Sequence, residues 1–146
     1  MEKKNYHRTI AVKASANEAM KKISQVNQWW AQNFSGKSER LNDKFTVRFG
    51  DTFVDFVVKE LIPGEKVVWK VTDCNLHWIK SKKEWKGTEV VFDISPEKNS
   101  TRIGFTHVGL VPGVECYNDC GVGWDGYIKT SLVKYMNEDE GLPNQF

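Results

Sequence analysis

Apolar and polar residues change their spacing several times along this chain, and each change marks a different kind of element. Residues Tyr6 to Lys13 alternate and are rich in Thr, Ile and Val, which predicts a first strand. Ser15-Ala-Asn-Glu18 has the form of a capping box, in which the Ser15 hydroxyl and the Glu18 carboxylate each take an orphan backbone NH at a helix start. A helix is expected from there to about Val26, with Ala19, Met20 and Ile23 as its buried stripe. Asn27 to Phe34 reads as a second short helix, with Asn27 as its cap and an end near Gly36.

From Lys44 the period drops to two. Phe45, Val47 and Phe49 alternate with Thr46 and Arg48, and Gly50-Asp51 separates them from a strand over Thr52 to Ile62. That strand offers apolar residues to both faces through Val54-Asp55-Phe56-Val57-Val58, so Asp55 could face either way. Pro63 to Lys66 forms a turn before Val67 to Thr72, where Lys70 points Trp69 inward. Asp73 to Lys83 has no clear period. Thr88 to Ser95 and Thr101 to Val108 pair across Pro96 to Ser100, with Val90, Phe92 and Ile94 on one inner face and Ile103, Phe105 and His107 on the other. The same parity turns Trp85 outward unless Gly87 resets the alternation. After Gly113, Trp124, Tyr127, Ile128, Ser131, Leu132 and Tyr135 repeat at helical spacing, predicting a long helix to about Met136. A sheet with one solvated face needs its apolar face covered, and that last helix is the large element available to cover it. The expected class is therefore α+β.

The motifs carry a resemblance. Trp85-Lys-Gly-Thr-Glu-Val-Val-Phe92, Thr101-Arg-Ile-Gly-Phe-Thr-His-Val-Gly-Leu110, Gly123-Trp124 and Ser131-Leu132, in this element order, resemble the START-like (SRPBCC) superfamily. Within it, the match is to the branch called activator of heat-shock-protein ATPase homologue. The resemblance implies a helix-grip fold, as in birch-pollen-allergen-like proteins. In it a curved antiparallel sheet of about six to seven strands wraps a long C-terminal helix, with two short helices after the first strand and an apolar cavity between sheet and helix. The chaperone activators of that branch carry an additional N-terminal domain. Only five residues precede Tyr6 here, so a chaperone role is not carried over with the branch, and residues 1–146 are expected to form a single START-like domain.

Composition narrows the function. The 146 residues contain 21 Lys and Arg against 19 Asp and Glu, a net charge of +2 that gives nucleic-acid or anionic-membrane binding no support. No apolar run approaches the length of a membrane span. The charged start, Met1 to Asn5, is followed by Tyr6-His-Arg-Thr rather than by the apolar stretch of a signal peptide, and three Cys do not make a secreted disulfide scaffold. A cytoplasmic protein is expected. Six Trp, eight Phe and four Tyr make 12% of a chain whose hydrophobic fraction, 40%, is ordinary, so much of the interior must be aromatic.

Those rings are the candidate site. Trp29, Trp30, Phe49, Phe53, Trp69, Trp78, Phe92, Phe105, Trp124 and Tyr127, with Ile128, either line a ligand cavity or fill the core. His107 is a candidate polar anchor or acid-base group, or else a satisfied core histidine. Gly121, Gly123 and Gly126 either open space beside the cavity or allow close packing. Cys116 and Cys120, four apart, could join Cys74 or His107 in a metal or redox site, but read more simply as free thiols. No nucleophile elbow, P-loop, glycine fingerprint or HExxH motif is present, and neither a catalytic residue nor a metal or other cofactor is expected. The expected function is non-catalytic binding of a hydrophobic or amphipathic small molecule, with Tyr127 or His107 orienting it. A cyclase- or hydrolase-like enzyme using His107, and a chaperone-interacting module, are the alternatives.

Overall fold

The first strand, β1 (Tyr6–Val12), pairs with the last, β7 (Ser100–Val108), and so forms one edge of the sheet. The structure is a computed structural model and describes residues 4–146; Met1 to Lys3, part of the charged start, lie outside the described residues. Between those two strands come α1 (Ala16–Ser24), α2 (Val26–Trp29), β2 (Asn33–Gly36), β3 (Lys44–Phe49), β4 (Thr52–Ile62), β5 (Lys66–Asn75) and β6 (Glu89–Glu97). The seven strands form one antiparallel sheet in the order β1-β7-β6-β5-β4-β3-β2. Two register shifts between β4 and β5, at Asp55/Phe56 and at Val58/Glu60, bend the sheet. The long C-terminal helix follows in three parts: α3 (Tyr117–Trp124), a π segment (Asp125–Leu132) of wider turns, and α4 (Val133–Glu138). This is the expected α+β helix-grip architecture.

The local signals explain most of these elements. Ser15 accepts from the Glu18 backbone NH, as its capping position requires. Val54, Phe56 and Val58 face the core, which leaves Asp55 on the outer face, where its carboxylate accepts from the Thr46 hydroxyl at 2.6 Å. Lys22 is buried beneath the far end of the C-terminal helix. Its ammonium donates to the Tyr135 carbonyl at 2.9 Å and to Asp139 Oδ1 at 2.6 Å, tying α1 to that helix end. Tyr6 and Arg8 of β1 both donate to Asp125 in the π segment and tie strand to helix. Burial, and then Asp125, raises the Tyr6 pKa.

Three expectations need correction. The second helix ends at Trp29, and Asn33 to Gly36 is an edge strand paired with β3; Phe34 lies opposite Val47 and packs on Phe45, an attraction that outweighs a weak local helical pattern. The segment without a clear period begins inside a strand, because β5 continues to Asn75 along the long β4. Trp85 is neither in a strand nor turned outward. It precedes a turn in which Gly87 has a φ of +86°, and its ring is 7% exposed.

Candidate functional site

The motifs that carry the family resemblance meet in one cluster. Trp124 Nε1 donates to His107 Nδ1 at 3.1 Å, and since an indole only donates, this nitrogen carries no proton. His107 Nε2–H therefore donates to Thr88 Oγ1 at 2.9 Å, and the Thr88 hydroxyl passes its own proton to the Trp85 carbonyl at 2.6 Å. The Trp85 ring stands edge-on to the imidazole, with centroids 4.6 Å apart, and lies parallel to Trp124. Gly109, at a φ of +105°, packs against Thr88 so closely that a Cβ would sit 2.6 Å from its methyl group. His107 is fully buried, and burial pushes its pKa down to about 3.

Beside this cluster the sheet and the helix part to leave a cleft of about 420 Å³, open to solvent. Trp30 and Phe49 form one side of it, with Thr52 and Val54 of β4 behind them. Leu76, Trp78 and Trp85, from the segment between β5 and β6, form a second side. The C-terminal helix supplies Asp119, Cys120, Gly123, Trp124 and Tyr127, and the C-terminal segment supplies Phe146. A Cβ on Gly123 would meet nothing within 4 Å, so that position is open space in the wall.

Two sets of polar contacts hold the walls formed by loop segments. Glu84 accepts from the backbone NH groups of Glu115 and Cys116 at the start of α3, while Glu115 accepts from those of Lys80 and Ser81. This reciprocal clamp fixes the segment bearing Trp78 and Trp85, and the two NH donors keep the Glu115 carboxyl below the usual range. On the other side, Leu142 NH donates to Ser131 Oγ, Asn144 NH to the Trp30 carbonyl, and Phe146 NH to the Tyr127 hydroxyl. Phe146 lies over Gly126, where a Cβ would come within 2.3 Å of its ring.

Of the residues expected to line a cavity, Trp30, Phe49, Trp78, Trp124 and Tyr127 are placed around this cleft. Trp29, Phe92, Phe105, His107 and Ile128 are fully buried in the packed space between sheet and helix and lie outside it. Trp69 is also buried and floors a separate, polar-sided recess beside α1. Phe53 is on the outer face opposite Arg48, whose guanidinium lies 5.3 Å from the ring centroid. The helix-face residues missed by sequence had a usable signal: Cys120 lies one turn before Trp124, and Asp119 one turn before Gly123. Phe146 had none, because its position depends on how the C-terminal segment folds back.

Cys116 and Cys120 are joined as a disulfide rather than free, with Cα atoms 5.4 Å apart, and Cys74 is buried with a free thiol. Trp69 Nε1 and Trp85 Nε1 have no acceptor among the described residues. Among those residues no group of three or more His, Cys, Asp or Glu is placed to hold a metal ion, and no helix is long and apolar enough to cross a membrane.

The fold and the cluster define the class: an α+β protein of helix-grip architecture. No family model matches the chain, and no curated protein matches it in sequence. Among solved structures, it is similar to the Aha1 dimer from Colwellia psychrerythraea, at 24% identity and a TM-score of 0.77, over 94% of this chain and 99% of that one. CalU16 from Micromonospora echinospora is similar at 16% identity and a TM-score of 0.67, over 92% of this chain and 75% of that one. DynU16, a putative protein of the dynemicin biosynthetic locus, is similar at 16% identity and a TM-score of 0.66, over 92% of this chain and 48% of that one. These likenesses show the fold.

Proposed function

We propose that this chain, as one START-like domain over residues 1–146, binds a hydrophobic or amphipathic small molecule in its aromatic cleft without transforming it. The supporting observation is the cleft itself: about 420 Å³, within the ordinary range of ligand sites, with rings on three sides and Gly123 leaving room between them. Each 100 Å² of apolar surface covered there contributes about 2.5 kcal/mol. An enzyme built on His107 is poorly supported, since both ring nitrogens are engaged and the imidazole has no exposure. The reading includes a cytoplasmic location. The Cys116–Cys120 bond counts against this, because such bonds are rare in reducing compartments.

Native mass spectrometry of freshly purified wild-type protein and of Gly123→Leu tests the binding reading. It expects an additional small-molecule mass, or uptake of 2-naphthalenemethanol, in the wild type and its loss in the variant. Equal behaviour of the two proteins would contradict it. A second reading, contact with a heat-shock-protein ATPase, is supported by the likeness to Colwellia Aha1. Stimulation of that ATPase by ligand-free protein would favour it.

A further inference from the structure

The thirteen residues around the cleft include one charged side chain and seven aromatic ones. The charge is Asp119, an exposed carboxylate in the first turn of α3; no Lys, Arg or His lines the cleft. Among the described residues none of the ion pairs uses Asp119, so its charge is not neutralised from within the protein. Four of the rings, those of Trp30, Trp78, Trp85 and Trp124, are indoles, whose faces carry the negative side of the ring quadrupole and attract cations more strongly than those of Phe or Tyr. Neutral apolar wall, electron-rich faces and one unpaired carboxylate form a combination that favours positive charge. An anionic ligand would meet the Asp119 charge with no cation to offset it.

We propose that the ligand of this cleft is an organic cation, a hydrophobic body bearing an ammonium group that lies between Trp78 and Asp119. This rests on the binding reading above and adds the ligand's chemical class. Trp78 is half exposed at the mouth, so a charged head group there stays partly hydrated while its hydrocarbon enters the cleft toward Trp30 and Trp124. Hydration kept at the head avoids the penalty of burying a charge outright. Thr52 Oγ1 accepts from the His77 NH and keeps its own proton for a polar substituent further in, whereas the Tyr127 hydroxyl is paired with the Phe146 backbone.

Calorimetric titration at low salt with three probes sharing one hydrocarbon tests this. The probes are (2-naphthylmethyl)trimethylammonium, 2-naphthalenemethanol and 2-naphthylacetate. The expected result is a cation bound about tenfold more tightly than the alcohol, and an anion bound more weakly than either. Asp119→Asn and Trp78→Leu, both at exposed positions in the cleft wall, should each lower the ratio of cation to alcohol affinity about threefold to tenfold. Equal affinities for alcohol and cation, or an unchanged cation preference in both variants, would overturn the charge preference while leaving the cleft as a binding site. Binding of none of the three, with wild type and Gly123→Leu indistinguishable, would overturn both.

Discussion

The indole of Trp124 and the imidazole of His107 are joined by a 3.1 Å hydrogen bond in which the helix donates and the sheet accepts. That bond fixes the tautomer of His107 and makes the residue a structural link between β7 and the C-terminal helix. Its consequence is a pH dependence of stability. A histidine whose pKa falls from 6.5 unfolded to about 3 folded contributes stability that is present above pH 6.5 and is lost as pH falls through that window. The loss approaches about 1.4 kcal/mol per pH unit below the unfolded pKa. Denaturant melts of wild type and His107→Gln between pH 7 and 4 should show this slope in the wild type and a shallower one in the variant; parallel profiles would show that His107 titrates normally.

Two glycines one turn apart should respond in opposite directions. Gly123→Ala adds a methyl group to open space in a helix and should stabilise by about 0.5–1 kcal/mol. Gly126→Ala drives a methyl group into the Phe146 ring and should lose that gain or destabilise. In a Phe146→Gly background the Gly126 penalty should disappear, because the Phe146 Cβ, itself 2.7 Å from the added methyl group, goes with the ring. A double-mutant cycle by thermal melting measures the coupling, and additive effects would place Phe146 elsewhere.

Lys22 closes the far end of the helix. Lys22→Met keeps the length and apolar stem but takes the ammonium from the exposed Asp139 carboxylate and from the Tyr135 carbonyl, which retains the Asp139 NH, and should cost about 0.5–1.5 kcal/mol. Hydrogen exchange should report earlier opening of Val133 to Glu138 in the variant. Unchanged protection there would show that the ammonium adds nothing to the helix end.

Cysteine state is directly countable. Protein purified without reductant and unfolded before alkylation should take up one label, at Cys74, and three after reduction. Three labels without reduction would mean that Cys116 and Cys120 are free.

The pattern of the sequence carried the architecture further than the site. Alternation around Phe45, Trp69, Phe92 and Phe105 marked the inner face of the sheet, and the Trp124–Tyr135 spacing marked the helix that covers it. Alternation cannot tell a ring that fills the core from one that borders a cleft, which is why Trp29 and Phe92 stood beside Trp30 and Phe49 as candidates. Phe53 shows the limit within a strand: both faces of β4 are apolar, and only pairing with Arg48 on β3 settles its side. Asn33 to Gly36 became a strand through a partner distant in the chain, and Trp85 turned inward through a glycine dihedral; neither is a property of local periodicity.

The central claim is that the cleft bordered by Trp78, Trp85 and Trp124 takes a small apolar molecule. Titration of ¹⁵N-labelled protein with 2-naphthalenemethanol, followed by the indole NH resonances in two-dimensional NMR, tests it most directly. The indole signals of Trp78, Trp85 and Trp124 and the Gly123 amide should shift and saturate together, while Trp29, whose indole is bonded to the Ile23 carbonyl, should stay in place. Saturable shifts confined to residues of the α1 recess, such as Ile23 and Leu61, or no saturable shifts at all, would contradict the claim.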